Sequence, residues 1–206
     1  MLSLYEELKI WQGAISSLLG FLALMVAALW NFHLNRKRDA ALRSDEALSV
    51  AAALYGEIML LRKEAAQIAT TVAKMAMRET RYGSSSYKID SHFLEANKLS
   101  EPMFYKTLAP QIGVLSPDLV IAITEFHRNF QEVKISLPLL VENSDRGYDY
   151  SWSSVLIPAR DAVKNIIPAS RKIEQLTSIS TPMKDLELRE VEEVIEFEQI
   201  QYDNRG

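Results

Sequence analysis

The pattern of hydrophobic positions separates one uninterrupted apolar stretch from several segments with helical periodicity. The stretch runs from Ile10 to Phe32, and no Asp, Glu, Lys or Arg occurs between Lys9 and Arg36. As a helix, its 23 residues would be roughly 34 Å long, which is enough to cross a hydrocarbon core of roughly 30 Å. Trp11 and Trp30 lie near its ends, where indole rings favour the headgroup region. The pattern therefore predicts a transmembrane helix over 10–32.

Two other kinds of segment share this apolar character. A buried core helix is rarely apolar on every face over such a length. A cleaved signal peptide has a basic start, a shorter apolar region and a small-residue cleavage site. Here Glu6 and Glu7 outnumber Lys9 before the stretch, and Trp30 and Phe32 follow its alanines. The residues favour a retained span over both alternatives.

Small residues recur within the predicted span at spacings of three and four, so they share one helix face. They are Gly13, Ser16, Gly20, Ala23 and Ala27. Small faces let helices approach closely in lipid, which makes this face a candidate packing surface. Because Ala, Gly and Ser are also common in spans generally, the alternative is that the spacing has no function.

The charges that flank the span predict its orientation. Arg36, Lys37 and Arg38 follow it, and Arg43 comes soon after, whereas Lys9 and the terminal amine precede it. Lysine and arginine near a span resist translocation, so these residues are topology determinants and the C-terminal bulk is expected to be cytoplasmic. They can also contact anionic lipid headgroups.

A long helix is predicted directly after the span, over 33–80. Between Asp39 and Glu79 there is no proline and a single glycine, Gly56, and strong helix formers dominate. Its apolar stripe alternates steps of four and three, as in a heptad repeat: Ala47, Ala51, Leu54, Ile58, Leu61, Ala65, Ile68, Val72 and Met75.

Two further stripes with this spacing follow. The first is Leu119, Ile123, Phe126, Phe130, Val133, Leu137 and Leu140, and the second is Trp152, Leu156, Ala159, Val163, Ile166, Ser170 and Ile173. Strand-like alternation is not apparent. Three long amphipathic segments bury their stripes most economically against one another, so the predicted fold is all-α, with a transmembrane helix and a long juxtamembrane helix in an antiparallel three-helix bundle.

Local signals place the boundaries of these elements. Ser116-Pro117 predicts a helix start capped by the serine hydroxyl, and Ser100 is a second candidate cap. Pro138 should end its helix, while Pro158 and Pro168 should kink or divide the third segment.

The expected organisation has five parts. They are a tail over 1–9, the span over 10–32, the long helix over 33–80, the rest of the bundle over 81–180, and an acidic helix or tail over 181–206 that starts at Thr181-Pro182. Turn-rich loops are predicted at YGSSSY, residues 82–87, and at NSDRGYDYS, residues 143–151.

The composition offers little catalytic chemistry. There are no cysteines, and the three histidines show no pairing at metal-ligand spacing. Phosphate-binding loops and nucleophile elbows are absent from the sequence. A polar cluster of Glu125, His127 and Arg128 would support an enzyme, but we expect these side chains to be divided between helix faces, with His127 at the edge of the bundle. We therefore predict no enzymatic activity, cofactor, metal or small-molecule substrate.

The net charge of −4 argues against a nucleic-acid partner. Residues 181–206 alone carry −5, from three basic and eight acidic side chains. This acidic segment is either a solvated helix face or a segment that docks on a basic partner.

The passage from Phe104 to Pro117, FYKTLAPQIGVLSP, resembles bacterial single-span membrane proteins that have a long juxtamembrane helix and a Gly-x-Leu-x-Pro turn. The resemblance implies a bacterial membrane protein, and no activity transfers with it; we expect its location to be the inner membrane. The leading hypothesis is a non-enzymatic anchored interaction protein, or an accessory subunit of a membrane complex, whose partners are the lipid bilayer and another protein or a second copy. The alternative is a phage-type envelope or lysis factor with a periplasmic coiled-coil rod, which requires the opposite orientation.

Overall fold

The computed structural model describes residues 4–82, 89–141, 150–179 and 183–204. Within these ranges all regular structure is helical and no strand occurs, as predicted. The α-helices are α1 (Leu4–Tyr82), α2 (Ser91–Ala96), α3 (Met103–Leu108), α4 (Pro117–Ser136), α5 (Ser153–Asn165), α6 (Ile167–Thr177) and α7 (Arg189–Asp203). Two 3-10 helices, Ala109–Val114 and Leu137–Leu140, precede and follow α4.

The chain forms two compact units, Met1–Glu46 and Ala47–Gly206, which we call the N-terminal and C-terminal units. Helix α1 is continuous through both, consistent with its lack of proline and its content of strong helix formers. Its single glycine in the C-terminal unit, Gly56, is exposed, and a Cβ there would meet open space.

The C-terminal unit contains the hydrophobic core. Helix α4 packs mainly against α5, and α5 also contacts α6 and α7. Large side chains of α1, α4, α5 and α6 are fully buried in it, as is Ile166 between α5 and α6. Those in the helices include Leu54, Ile58, Leu61, Leu119, Ile123, Phe126, Phe130, Leu156 and Ile173. Ile68 and Val72 are buried as well.

The prolines act at different places. Helix α4 ends at Ser136, and Pro138 lies in the 3-10 turn that follows it. Pro158 lies inside α5 without dividing it, because near the start of the helix it removes only the bond to the Ser154 carbonyl. The third segment divides instead at Ile166, where Pro168 occupies the first turn of α6.

One predicted helix start was wrong, and one was right except for its cap. The last helix begins at Arg189, because residues 183–188 are non-helical and the backbone of Met183 and Lys184 is bonded to side chains of other helices. Ser116 is the N-cap of α4, yet its hydroxyl caps nothing and instead accepts a hydrogen bond from Lys172 at 3.2 Å. The Thr181-Pro182 pair, residues 83–87 of the first predicted loop and most of the second loop lie outside the described residues.

Candidate membrane-spanning helix and buried polar clusters

The apolar segment of α1 has the length and composition of a membrane span. Every side chain described between Trp11 and Glu46 is exposed. The exposed fractions are 63% for Trp11, 66% for Trp30 and 59% for Phe32. The structure therefore leaves this apolar surface without a protein partner among the described residues. The side chain of Ile10 lies outside them.

The small residues of the span are exposed with the rest of it. A Cβ at Gly13 or Gly20 would meet no atom within 4 Å, and Ser16, Ala23 and Ala27 are likewise uncovered. Ser17 donates its hydroxyl to the Gly13 carbonyl at 2.9 Å, a bond within the helix that satisfies this polar group in an apolar surrounding. The packing role of this face remains a prediction.

The basic residues after the span are also exposed. Arg36, Lys37 and Arg38 lie in one turn of α1. The Arg36 guanidinium carbon lies 5.4 Å from the centroid of the Phe32 ring, one turn nearer the N-terminus. This geometry suits a cation–π contact.

In the C-terminal unit, carboxylates of α1 hold the segment before α4. Glu57 is buried, and its two oxygens accept the backbone N–H groups of Phe104 at 2.6 Å and Tyr105 at 2.9 Å. These are unpaired donors in the first turn of α3, whose N-cap, Pro102, offers no side-chain cap. Glu64, two turns further along α1, accepts both the backbone N–H and the hydroxyl of Ser100.

A third carboxylate, from α7, caps α5. Glu198 of α7 accepts the backbone N–H groups of Trp152 at 3.1 Å and Ser153 at 2.8 Å. It also accepts the hydroxyls of Ser151 and Ser153. A negative charge at a helix N-terminus interacts favourably with the helix dipole. At this position an acidic residue of α7 therefore stabilises the start of α5.

Arg62 of α1 is buried, with 2% of its surface exposed, at the joint between α5 and α6. Its Nε donates to the Val163 carbonyl at 2.8 Å, and its Nη1 donates to the Lys184 carbonyl at 2.9 Å. Burial lowers the pKa of the guanidinium, and the charge of Asp185 opposes that shift. The break at Ile166 leaves carbonyls of the last turn of α5 without helical partners, and Arg62 satisfies one of them.

Close to Arg62, Glu174 of α6 joins α1 to the segment before α7. It accepts the Tyr55 hydroxyl at 2.6 Å and the Met183 backbone N–H at 2.8 Å. Arg171 donates to it at 3.1 Å. Burial, together with the hydrogen bond to Glu174, raises the pKa of Tyr55 to about 12.

His127 is buried beside Glu57, with its Nε2 3.9 Å from a Glu57 oxygen. That distance is too long for a hydrogen bond, and neither ring nitrogen has a partner within the described part of the chain. The ring stacks on Tyr105 at 3.9 Å between centroids and meets Phe126 edge-on at 5.1 Å. Burial lowers the pKa of His127 to about 4, so the ring is neutral at pH 7.

The other two members of the expected polar set are separate from His127. Glu125 and Arg128 are exposed on α4 and form a weak ion pair at 3.8 Å. The three side chains are thus divided between helix faces, although His127 is buried rather than at the edge. Among the described residues, no group of three or more His, Asp or Glu side chains could hold a metal ion.

Glu57 and Arg62 are the buried charged side chains among those described in α1, and neither was predicted as a functional residue from the sequence. Each is adjacent in sequence to a member of the apolar stripe, Glu57 before Ile58 and Arg62 after Leu61. These are flanking heptad positions, which ordinarily hold solvated charges. Two prolines could have indicated their use. Pro102 leaves backbone N–H groups at the start of α3 without a side-chain cap, and the helix break before Pro168 leaves backbone carbonyls at the end of α5 without partners.

No family model matches the chain, and neither a curated protein nor a solved structure is significantly similar to it. The resemblance noted for residues 104–117 therefore adds no activity.

Proposed function

We propose that the chain is a non-enzymatic, single-pass membrane protein that presents a helical domain to another protein, as an anchored interaction protein or as an accessory subunit of a membrane complex. The proposal is carried by one observation. The apolar residues from Trp11 to Phe32 are exposed around the whole circumference of α1, with no charged side chain among them. In water such a surface is strongly unfavourable, whereas in lipid a helix satisfies its own backbone and needs no cover.

The lack of an enzymatic site is supported by how the buried charges are used. Glu57 and Arg62 are occupied by backbone groups, and Glu174 and Glu198 bind backbone amides in partly buried positions. Groups engaged in this way stabilise the fold and have little freedom to transfer protons to a substrate.

We also propose a packing and a location for the C-terminal domain. Tyr55 bonds to Glu174 and Arg62 bonds to Val163, so the residue number of the partner falls as that of the α1 residue rises. This order supports an antiparallel arrangement of α1 with α5 and α6, as in a three-helix bundle. The basic residues after the span support a cytoplasmic C-terminal domain at the bacterial inner membrane.

Membrane fractionation with alkaline carbonate tests the span. We expect the full-length protein to stay in the membrane pellet. A variant with Leu19→Asp, Leu22→Asp and Val26→Asp should move to the supernatant, because an aspartate at the centre of a span costs about 2.5–3.5 kcal/mol. The matched control places three aspartates at exposed positions of the C-terminal unit, Leu60→Asp, Ile121→Asp and Leu176→Asp, and should remain in the pellet. Wild-type protein in the supernatant would refute the proposal.

Orientation and partnership need their own measurements. A C-terminal reporter that is active only in the cytoplasm should be active, whereas activity of a periplasm-specific reporter would favour the envelope alternative. Crosslinking in membranes should then give a discrete adduct with a second protein. A monomer by native mass measurement after gentle detergent extraction, with no adduct, would contradict the subunit role.

A further inference from the structure

We propose that Arg36, Lys37 and Arg38, which we call the basic cluster, form a binding site for the phosphate headgroups of anionic phospholipids at the edge of the span. The inference rests on the proposed function, because it requires that the apolar segment of α1 lies in lipid.

The position and geometry of the basic cluster fit several lipid headgroups at one depth. Consecutive residues of an α-helix are about 100° apart around the axis, so the three cations point in different directions over an arc of about 200°. They lie within about 3 Å of one another along the axis. All three are exposed, and none of them forms an ion pair with another described residue. Their charges are therefore available to several lipids at one depth.

Helix geometry directs the side chains of the basic cluster toward the span. In an α-helix each Cα–Cβ bond tilts toward the N-terminus, so cations placed after a span point back to the membrane interface. Arg36 shows this direction, since its guanidinium carbon lies 5.4 Å from the Phe32 ring centroid. Long cationic side chains at a span end commonly place the charge at headgroup level in this way.

The distribution of charge along α1 restricts the proposed headgroup site to the turn that holds the basic cluster. Residues 36–38 carry +3, whereas residues 39–46 carry −2, from Arg43 against Asp39, Asp45 and Glu46. The sign of the charge thus reverses directly after the basic cluster. An anionic ligand is therefore favoured beside the apolar segment, where lipid phosphates lie, and disfavoured further along α1. This complementarity selects an anionic lipid over a soluble anion that could approach any part of the helix.

Trp30 provides a local reporter of the lipids that contact this edge. In a form with Trp11→Phe and Trp152→Phe it is the sole tryptophan, since the chain has three. The protein is reconstituted in phosphatidylcholine vesicles that contain either brominated phosphatidylglycerol or brominated phosphatidylcholine. Quenching of Trp30 by each brominated lipid gives their relative association constant. Both leaflets have the same composition, so the orientation of the chain does not affect the result.

We expect phosphatidylglycerol to be preferred about fivefold at low ionic strength, because one cation near an anionic headgroup contributes about 1 kcal/mol. The preference should fall in 0.5 M salt, where the screening length is only a few Å. It should disappear in Arg36→Gln/Lys37→Gln/Arg38→Gln. Lys63→Gln/Lys98→Gln/Arg128→Gln removes three exposed cations of the C-terminal unit and should keep it. A form whose sole tryptophan is Trp11, at the opposite end of the span, should show little preference.

The outcomes separate the two proposals. If brominated phosphatidylcholine does not quench Trp30 at all, the segment is not in lipid and the proposed function fails. If both lipids quench equally, or if the preference survives in the variant that lacks the basic cluster, the segment is inserted but the headgroup site is overturned.

Discussion

The two halves of α1 place similar apolar side chains in opposite surroundings. In the N-terminal unit Leu24 and Leu29 are 72% and 64% exposed, whereas in the C-terminal unit Leu54 and Leu61 are fully buried. The backbone is the same continuous helix in both. The difference is the distribution of apolar residues: they surround the first half but form one stripe on the second, and that stripe belongs to the hydrophobic core. Helical structure alone thus does not decide whether a segment lies in protein or in lipid. The deciding property is how much of the helix circumference is apolar.

Deleting residues 1–46 should give the largest effect, because it separates the two halves of α1. Every residue of the core cluster lies at Val50 or beyond, so we expect the remaining chain to fold. Membrane association should be lost completely, because the span contributes nearly all of it. Cooperative thermal unfolding by circular dichroism and sedimentation without detergent would measure the two effects. A shortened chain that aggregates or melts without cooperativity would show that the C-terminal unit depends on the deleted part.

Phe126→Ala should give the largest effect of a single substitution. Phe126 is 2% exposed in the core, and truncation of a buried phenylalanine to alanine typically costs about 3–5 kcal/mol of unfolding free energy. Urea unfolding followed by Trp152 fluorescence, with the other two tryptophans replaced by phenylalanine, measures it. Ile121→Ala on the same helix and Leu24→Ala in the span are the controls, since both side chains are exposed and should change the value by less than about 0.5 kcal/mol. Comparable losses in all three would contradict the burial pattern.

Arg62→Met tests whether the buried guanidinium supports the joint between α5 and α6. Methionine keeps much of the volume but leaves the Val163 and Lys184 carbonyls without donors, at a cost of about 3 kcal/mol in unfolding free energy. Lys63→Met, the exposed neighbour, should be nearly neutral. If the Arg62 variant is as stable as wild type, the bonds are dispensable and a hydrophobic side chain packs equally well there.

The sequence predicted the helical class and the apolar segment because both depend on local patterns. A stretch without charges and a segment without proline can both be recognised from residues that are close together in the sequence. Glu57, Arg62 and Glu198 could not be assigned in this way, because each satisfies backbone groups more than 40 residues away in the chain. The start of α7 was mispredicted for the same reason: a proline after a threonine is a good local start signal, but long-range bonds from Glu174 and Arg62 keep Met183 and Lys184 out of the helix.

The smallest predicted effect concerns His127 and the pH dependence of the C-terminal unit. Its pKa is about 4 in the folded protein and near 6.5 when unfolded, so the unfolded chain binds more protons between these values. Stability should therefore be highest above pH 6.5 and should fall as the pH drops toward 4, with a loss of about 2 kcal/mol between pH 7 and pH 5. His127→Phe keeps the stacking on Tyr105 but removes the titration, so its urea midpoint should change much less over this range, while the exposed His92→Phe should behave as wild type. The carboxylate of Glu57, 3.9 Å away, favours the protonated ring. An unfolding free energy that is unchanged or higher at pH 5 would mean that Glu57 outweighs the effect of burial.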